Sequence, residues 1–265
     1  MPLKGFMIDV QGTLIDDKEK KPIAGAIEAV RFLRENRFPY VLVTNNTKQE
    51  SETFKRYLRE QGFVFDDEQY LDPLMVLDRL LPPSSVAAYG SPQFLDVLRK
   101  RGYRLDFEHP AAVLVAIRED FTNDDYAHMI ELVLNGAKLI GMHETSIYAK
   151  HGRRYPGVGA ILKMIAFATG KTYDVVGKPS RPFYSEALEK LRKQDSSVIY
   201  EEVTMISDDP VGDLMGARAM GMQTVLVLSG KIASLKEVKG IAQESANAVV
   251  RDISEWFETI RKGAA

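Results

Sequence analysis

Polar side chains that could do chemistry stand directly after four apolar runs of the sequence. Asp9 and Thr13 follow the first run, Phe6-Met7-Ile8. The groups after the later runs are Thr44 with Asn45, then Lys178, and then Asp208 with Asp213. Short apolar runs are typical of buried parallel strands, whose carboxyl ends meet at one edge of an open α/β sheet. The pattern therefore predicts one site built from these groups.

This set of groups suits phosphoryl transfer through a covalent aspartyl-phosphate, with Asp9 as the nucleophile. A carboxylate that attacks a phosphate is repelled by its negative charge, so the site needs cations. A Mg²⁺ ion held by the carboxylates of Asp9 and Asp208 would supply one of them. The ammonium group of Lys178 would supply another and bind the phosphate, which makes Asp9 and Lys178 the predicted catalytic residues.

The phosphate oxygens also need hydrogen-bond donors, and the stretch after the second run offers several. We expect the Thr44 hydroxyl and the backbone amides of Asn45 and Asn46 to bind phosphate. These amides would lie at the N-terminus of a helix that runs to about Gln61. Gly12 would let the backbone turn close to the metal.

Each of these groups also has a plainer role open to it. Thr44 could only cap a helix, and Lys178 could be a solvated loop lysine. Asp208, Asp209 and Asp213 could be carboxylates that favour a helix N-terminus electrostatically.

Strands and helices alternate in the stretches that would position the site. Apolar residues between 23 and 36 recur at helical spacing, and Tyr40–Val43 is a short apolar run before the next helix. Alternation at this pace is typical of parallel βαβ units. The same rhythm returns late in the chain, with strands expected at 173–176, 203–206 and 224–228.

Between about residues 75 and 172 the rhythm changes. Asp72-Pro73 and Pro82-Pro83 break the chain, and new strand and helix patterns follow. We expect a doubly wound, parallel-sheet α/β core of Rossmann-like type formed by residues 1–74 and 173–265. Residues 75–172 would form an inserted α/β domain.

The composition narrows the functional classes. The 265 residues contain no cysteine, which excludes disulfides, thiolate nucleophiles and thiolate metal ligands. The net charge of −2 argues against binding to nucleic acid or a membrane surface through bulk charge. The N-terminal stretch does not resemble a signal peptide, and no apolar run approaches the roughly 20 residues of a membrane span. We therefore expect a cytoplasmic protein.

The four motifs in this order strongly resemble those of the haloacid dehalogenase-like phosphatase superfamily. That family opens with Asp-x-Asp-Gly-Thr, places Thr or Ser after the second strand, and adds a lysine and a late acidic pair. The stretches 43–47 and 177–179 and the insert between them are similar to its subfamily IIA, the NagD-like proteins. The stretches 136–143, 175–180 and 208–213 are most similar to the branch of the phospholysine phosphohistidine inorganic pyrophosphate phosphatase.

The resemblance implies a role for each motif. Asp9 would be nucleophile and metal ligand, Gln11 would ligate Mg²⁺ through its backbone carbonyl, and Asp208 would be the third protein ligand. Asp213 and Thr13 would support these ligands. The insert would be a cap that closes on the core and selects a small phosphorylated substrate. Because members of the subfamily are often dimers, a homodimer is also expected.

Gln11 departs from the family, which usually has Asp there to protonate the leaving group and then activate water. A Gln amide can do neither. General acid–base catalysis contributes on the order of 10²- to 10⁴-fold, so turnover of alkyl phosphates should be heavily reduced. Aryl phosphates or pyrophosphate, which have better leaving groups, should still react. Ser207 replaces a usual Gly, which we expect to matter little.

Two other functions remain open. The chain could be a former phosphatase kept as a phosphate- or nucleotide-binding regulator, with Gln11 marking the lost catalysis. A receiver-like domain phosphorylated on its aspartate is disfavoured, because such domains are compact and have no large insert.

Overall fold

The computed structural model describes residues 4–150, 153–232, 234 and 244–263. Contacts divide the chain into two compact units. The core unit comprises Met1–Thr44, Glu52–Leu71 and Tyr184–Ala265, and the insert unit comprises Asn45–Ser51 and Asp72–Phe183.

The described residues form two parallel sheets, one hairpin and the α-helices that connect their strands. In chain order the strands are β1 (Gly5–Asp9), β2 (Tyr40–Val43), β3 (Tyr70–Leu71), β4 (Ser85–Tyr89), β5 (Arg104–Leu105), β6 (Ala112–Val115), β7 (Lys138–Gly141), β8 (Ile147–Lys150), β9 (Arg153–Pro156), β10 (Tyr173–Val175), β11 (Val203–Ser207), β12 (Gln223–Val227) and β13 (Ala248–Val250). The helices are α1 (Ala26–Glu35), α2 (Ser51–Glu60), α3 (Pro73–Leu80), α4 (Pro92–Lys100), α5 (Asn123–Leu134), α6 (Val158–Thr169), α7 (Arg181–Arg192), α8 (Met215–Ala219) and α9 (Ile253–Gly263).

The core unit is built on a sheet in the order β13-β12-β11-β1-β2-β3, with every pair parallel. All five residues of β1 are buried, as are all four of β2 and all five of β11. Burial on both faces explains why these strands are mostly apolar, with Asp9, Thr204 and Ser207 as buried polar exceptions, and do not alternate between apolar and polar residues. The predicted parallel α/β core is confirmed.

The helices of the core unit pack an apolar face on this sheet. In α1, the buried residues Ala26, Ala29, Val30 and Leu33 recur at helical spacing. Helix α9 packs against α1, and its Phe257 ring lies 5.8 Å from that of Phe6 in β1. None of the helices in the described part of the chain has the length and apolar character needed to span a membrane.

The insert unit has its own parallel sheet, in the order β10-β7-β6-β4-β5, and a separate antiparallel hairpin of β8 and β9. Strand β10 was expected to resume the core sheet, and this assignment is wrong. Tyr173 pairs with Leu139 of β7, so β10 belongs to the insert sheet. A short apolar run does not specify its sheet; here the preceding helix α6 connects β10 to β7. The core unit resumes only at Tyr184, within α7.

Candidate active site

Asp9 is the last residue of the central strand β1 and is only 5% exposed. The register pairs Asp9 with Val43 of β2, and Ile8 with Ile206 of β11. Because the strands are parallel, the residues that follow β2 and β11 emerge at the same edge of the sheet as Asp9. Within the core unit, the predicted groups after these three strands therefore share one edge.

The loop after Asp9 turns tightly and lies close to Asp208. The Gly12 amide donates to the Ile15 carbonyl at 2.8 Å, and Gly12 has a φ of +79°. A Cβ atom on Gly12 would lie 2.1 Å from Asp208 Oδ2, and one on Gly230 would lie 2.2 Å from the same oxygen. Glycines on two sides thus leave room around this carboxylate, as expected for Gly12.

Asp213 is held by Ser207, the second position at which the sequence departs from the family. The buried Ser207 hydroxyl donates to Asp213 Oδ2 at 2.6 Å and accepts from the Asp209 amide at 3.1 Å. Tyr184 donates its hydroxyl to the Asp213 carbonyl at 2.8 Å. The Ser207 side chain therefore orders the acidic turn, a contribution that a glycine could not make and that sequence analysis underrated.

Asp208 follows β11 in a buried and strongly acidic environment. Burial raises the pKa of its carboxyl group, and the neighbouring carboxylate of Asp213 raises it further. The Lys231 amide donates to Asp208 Oδ2 at 2.5 Å and opposes this shift. A cation beside Asp208 would relieve the same electrostatic cost.

Lys231 and the turn that carries it were not among the predicted site residues. The Lys231 ammonium group lies 2.6 Å from Asp209 Oδ2, and the Ser229 hydroxyl donates to the Gly12 carbonyl at 2.8 Å. Ser229 and Gly230 follow β12 closely, at the same sheet edge as the other site residues. Their position after another parallel strand was the signal available in the sequence.

The oxygen donors at this edge fit a Mg²⁺ ion. Asp9 and Asp208 offer buried carboxylates, and the described residues contain no group of three or more His, Asp or Glu side chains arranged for a metal. The backbone carbonyl of Gln11 stays a predicted third protein ligand. The buried Thr13 hydroxyl has no hydrogen-bond partner among the described residues. Few protein ligands, all oxygen, with remaining positions left to water or substrate, suit Mg²⁺.

Gln11 and Thr44 are joined directly. The buried Thr44 hydroxyl donates to Gln11 Oε1 at 2.7 Å, and the Thr44 amide donates to the Leu71 carbonyl at 3.1 Å. The side chain at the position of the family's acid–base residue therefore lies beside the predicted phosphate-binding hydroxyl. No feature of the sequence indicates this contact.

Asn45, Asn46 and Lys178 lie in the insert unit. The Asn45 side chain is bound to the Lys178 backbone, with its Oδ1 accepting from the Lys178 amide at 2.8 Å and its Nδ2 donating to the Lys178 carbonyl at 3.4 Å. A Cβ atom on Gly177 would lie 2.7 Å from Asn45 Oδ1, so glycine permits this close approach. Lys178 itself is 2% exposed.

The expected helix N-terminus at Asn45 and Asn46 is wrong, because α2 begins only at Ser51. Asn46 instead stabilises a local turn, in which its Oδ1 accepts from the Lys48 amide at 3.3 Å and its Nδ2 donates to the Gln49 carbonyl at 3.1 Å. Asparagine side chains compete with helical hydrogen bonding in this way. The phosphate-binding role of both residues stays a prediction, without support from a helix dipole.

The fold and the site define an α/β enzyme with buried aspartates at the carboxyl ends of parallel strands. A model described as haloacid dehalogenase-like hydrolase matches residues 6–104, and one described as HAD-hydrolase-like matches residues 175–256. Haloacid dehalogenase-like hydrolase domain-containing protein 2 of Rattus norvegicus is 30% identical over 244 residues, covering 89% of this chain and 88% of the relative. The chain therefore belongs to the haloacid dehalogenase-like hydrolase family.

Other relatives carry the names of phosphatases. The human phospholysine phosphohistidine inorganic pyrophosphate phosphatase is 27% identical over 86% of this chain and 84% of its own. The p-nitrophenyl phosphatase from Archaeoglobus fulgidus has the same fold, with a TM-score of 0.80 at 23% identity over 98% of this chain and 100% of its own. NagD from E. coli K-12 matches with a TM-score of 0.74 at 23% identity over 96% and 98%. The NagD-like resemblance of the sequence is confirmed, and a phosphatase is supported.

Proposed function

We propose that the protein is a Mg²⁺-dependent phosphatase that acts through an aspartyl-phosphate on Asp9. The observation that carries this proposal is the placement of Asp9: a buried carboxylate at the carboxyl end of the central strand, in register with the strands that precede Thr44 and Asp208. Asp9, the Gln11 carbonyl and Asp208 would hold the metal, which supplies charge neutralisation for the phosphate when bound.

In the first step, a carboxylate oxygen of Asp9 forms a bond to phosphorus, and the bond from phosphorus to the leaving group breaks. In the second, water attacks phosphorus, the aspartyl–phosphate bond breaks, and inorganic phosphate and the Asp9 carboxylate are released. Thr44 would donate a hydrogen bond to a phosphate oxygen, and Lys178 would offset its charge. Asp213, ordered by Ser207, would hold the acidic turn that carries Asp208.

Gln11 decides which substrates this site can turn over. Its amide cannot protonate a departing alkoxide, and its Oε1 already accepts from Thr44. Substrates whose leaving group is stable as an anion do not need that proton. We therefore propose small phosphorylated molecules with good leaving groups, including aryl phosphates and pyrophosphate, the substrate class that the name of the human relative also contains.

A comparison of leaving groups tests this selectivity. With Mg²⁺ present, kcat/KM for p-nitrophenyl phosphate should exceed that for an alkyl phosphate by on the order of 10²-fold or more, because the alkoxide lacks an acid. The value of kcat/KM for pyrophosphate should be close to that for the aryl ester. Equal values of kcat/KM for the aryl and alkyl esters would contradict the role given to Gln11.

Metal binding can be tested without turnover. Mg²⁺ should raise the melting temperature of the wild-type protein, because a ligand bound only by the native state stabilises it. The Asp208→Asn variant should lose most of this shift, whereas Asp195→Asn, which alters a loop carboxylate that accepts from the Ser197 amide, should keep it. An equal Mg²⁺ shift in all three proteins would show that Asp208 does not hold the ion.

Asn45 is expected to position Lys178 rather than to bind phosphate through its side chain. Asn45→Ala removes two hydrogen bonds to the Lys178 backbone and should raise KM for p-nitrophenyl phosphate roughly tenfold. Asn45→Asp keeps the acceptor for the Lys178 amide, so it should raise KM by a smaller factor. Asn123→Ala, an exposed change in the same unit, is the control. A wild-type KM in Asn45→Ala would refute the positioning role.

The alternative, a phosphate- or nucleotide-binding regulator on the same fold, rests on the replacement at Gln11. It would bind phosphate analogues tightly and form no phosphoenzyme. Closure of the insert over the core, a homodimer and a cytoplasmic location also stay predictions from the sequence.

A further inference from the structure

The insert sheet has a point at which the chain reverses its direction of travel across the sheet. From β4 the chain passes to β5 on one side, and from β6 it passes to β7 on the other, while β4 and β6 are neighbours. In doubly wound parallel sheets, ligands bind in the crevice outside the carboxyl ends of two such strands. The order here, taken from β5 to β10, is the flavodoxin-like 2-1-3-4-5 order, for which the same rule holds.

A cavity of about 500 Å³ lies at this point of the insert unit. Tyr89 and Gly90, at the end of β4, line it together with Arg118, which follows β6. Pro92 and Leu95 of α4 add apolar surface. Its volume is within the range of small-molecule sites. Strand β4 lies three strands from β10, roughly 14 Å across the sheet, so the cavity is separate from the Lys178 segment that follows β10.

One wall of the cavity is a fixed aromatic surface. The Phe107 ring is 39% exposed and stands edge-on to Tyr89, with ring centres 5.6 Å apart and planes at 88°. His128 ties the two together, because its Nδ1 lies 3.1 Å from the Tyr89 hydroxyl and its Nε2 lies 2.9 Å from the Phe107 carbonyl. An exposed phenyl ring held in this way offers a preorganised surface for stacking a planar ligand.

The charged groups around the cavity select against phosphate. All three guanidinium nitrogens of Arg118 are engaged, Nε and Nη2 by Asp120 and Nη1 by Asp125. Arg99 pairs with Asp96 at 2.8 Å. The cavity lining thus contains three carboxylates and two arginines, and both arginines are already paired with these carboxylates. The carboxylate oxygens can still accept hydrogen bonds, so the lining favours a neutral ligand rich in hydroxyl or amino donors.

We propose that this crevice binds a nucleoside: a planar heteroaromatic ring that stacks on Phe107, with sugar hydroxyl or amino groups that donate to Asp96 and Asp120, and with no phosphate attached. This site is independent of the phosphatase chemistry proposed for Asp9.

Titration of the full-length protein with adenosine, monitored by ligand-observed NMR, tests the proposal. Adenosine should bind saturably, and Phe107→Ala should weaken binding roughly tenfold through the loss of ring stacking. Phe167→Ala removes a 93% exposed ring elsewhere in the insert unit and should leave binding unchanged. Asp120→Asn changes a side chain that is 81% exposed and should also weaken adenosine binding. This variant replaces Phe107→Ala in the test if Phe107→Ala misfolds.

Ribose and AMP complete the test. Ribose lacks the ring, so Phe107→Ala should not change whatever binding ribose shows. AMP carries a phosphate, so the part of its binding that depends on Phe107 should be weaker than that of adenosine. The proposal is overturned if adenosine shows no saturable binding up to millimolar concentration, or if its binding withstands both Phe107→Ala and Asp120→Asn. Tighter Phe107-dependent binding of AMP than of adenosine would equally refute a phosphate-free ligand.

Discussion

Asp9→Asn is expected to lower kcat for p-nitrophenyl phosphate by on the order of 10³-fold or more, because the amide cannot form the covalent intermediate. Asn has nearly the same size and shape as Asp, so the buried end of β1 should keep its packing. Steady-state kinetics together with the melting temperature would separate a lost nucleophile from a lost fold.

Asp195→Asn is the matched control for this prediction. It makes the same carboxylate-to-amide change in a loop of the core unit, at a side chain that accepts from the Ser197 amide. We expect near-wild-type kinetics for it. If Asp9→Asn were folded and retained turnover close to that of Asp195→Asn, Asp9 would not be the nucleophile.

Gln11→Asp is expected to produce the largest gain of activity, by on the order of 10²-fold in kcat/KM for an alkyl phosphate, because it restores an acid and base at the usual position of the family. The gain should be much smaller for p-nitrophenyl phosphate, whose leaving group does not need a proton. Rates for both esters with wild type and variant would measure the difference directly.

The control for this substitution is Gln11→Asn. It has the same shorter side chain as Gln11→Asp and equally disturbs the hydrogen bond from Thr44 to Gln11, yet it cannot transfer a proton. Equal alkyl-phosphatase activity in the two variants would mean that another part of the site, rather than the missing acid, limits the reaction.

The sequence predicted those parts of the fold that depend on local pattern. The runs that became β1, β2 and β11 are mostly apolar, and the apolar residues of α1 recur at helical spacing. Both patterns could be recognised because each reflects the burial of its own segment. Strand β10 was misassigned because a run of three or four residues does not encode which sheet it joins. The hairpin of β8 and β9 was missed because its residues are mostly exposed or intermediate and lack a strong apolar pattern.

The same limit applies to the candidate site. Asp9, Thr44 and Asp208 were found because each follows a strand, and strand ends follow from the sequence. The bonds from Thr44 to Gln11 and from the Lys231 amide to Asp208 join residues far apart in the chain, so only the folded structure reveals them. Ser207 was underrated for a related reason: its partner, Asp213, is close in sequence, but the direction of the hydroxyl depends on the turn.

The most direct test of the central claim is a rapid acid quench of the protein during turnover of p-nitrophenyl phosphate with Mg²⁺, followed by mass spectrometry of its peptides. We predict one added phosphoryl group on the peptide that contains Asp9, labile to hydroxylamine as an acyl phosphate is, and absent from Asp9→Asn. Turnover with no trapped phosphoryl group, or a phosphoryl group on another residue, would contradict an aspartyl-phosphate mechanism at Asp9.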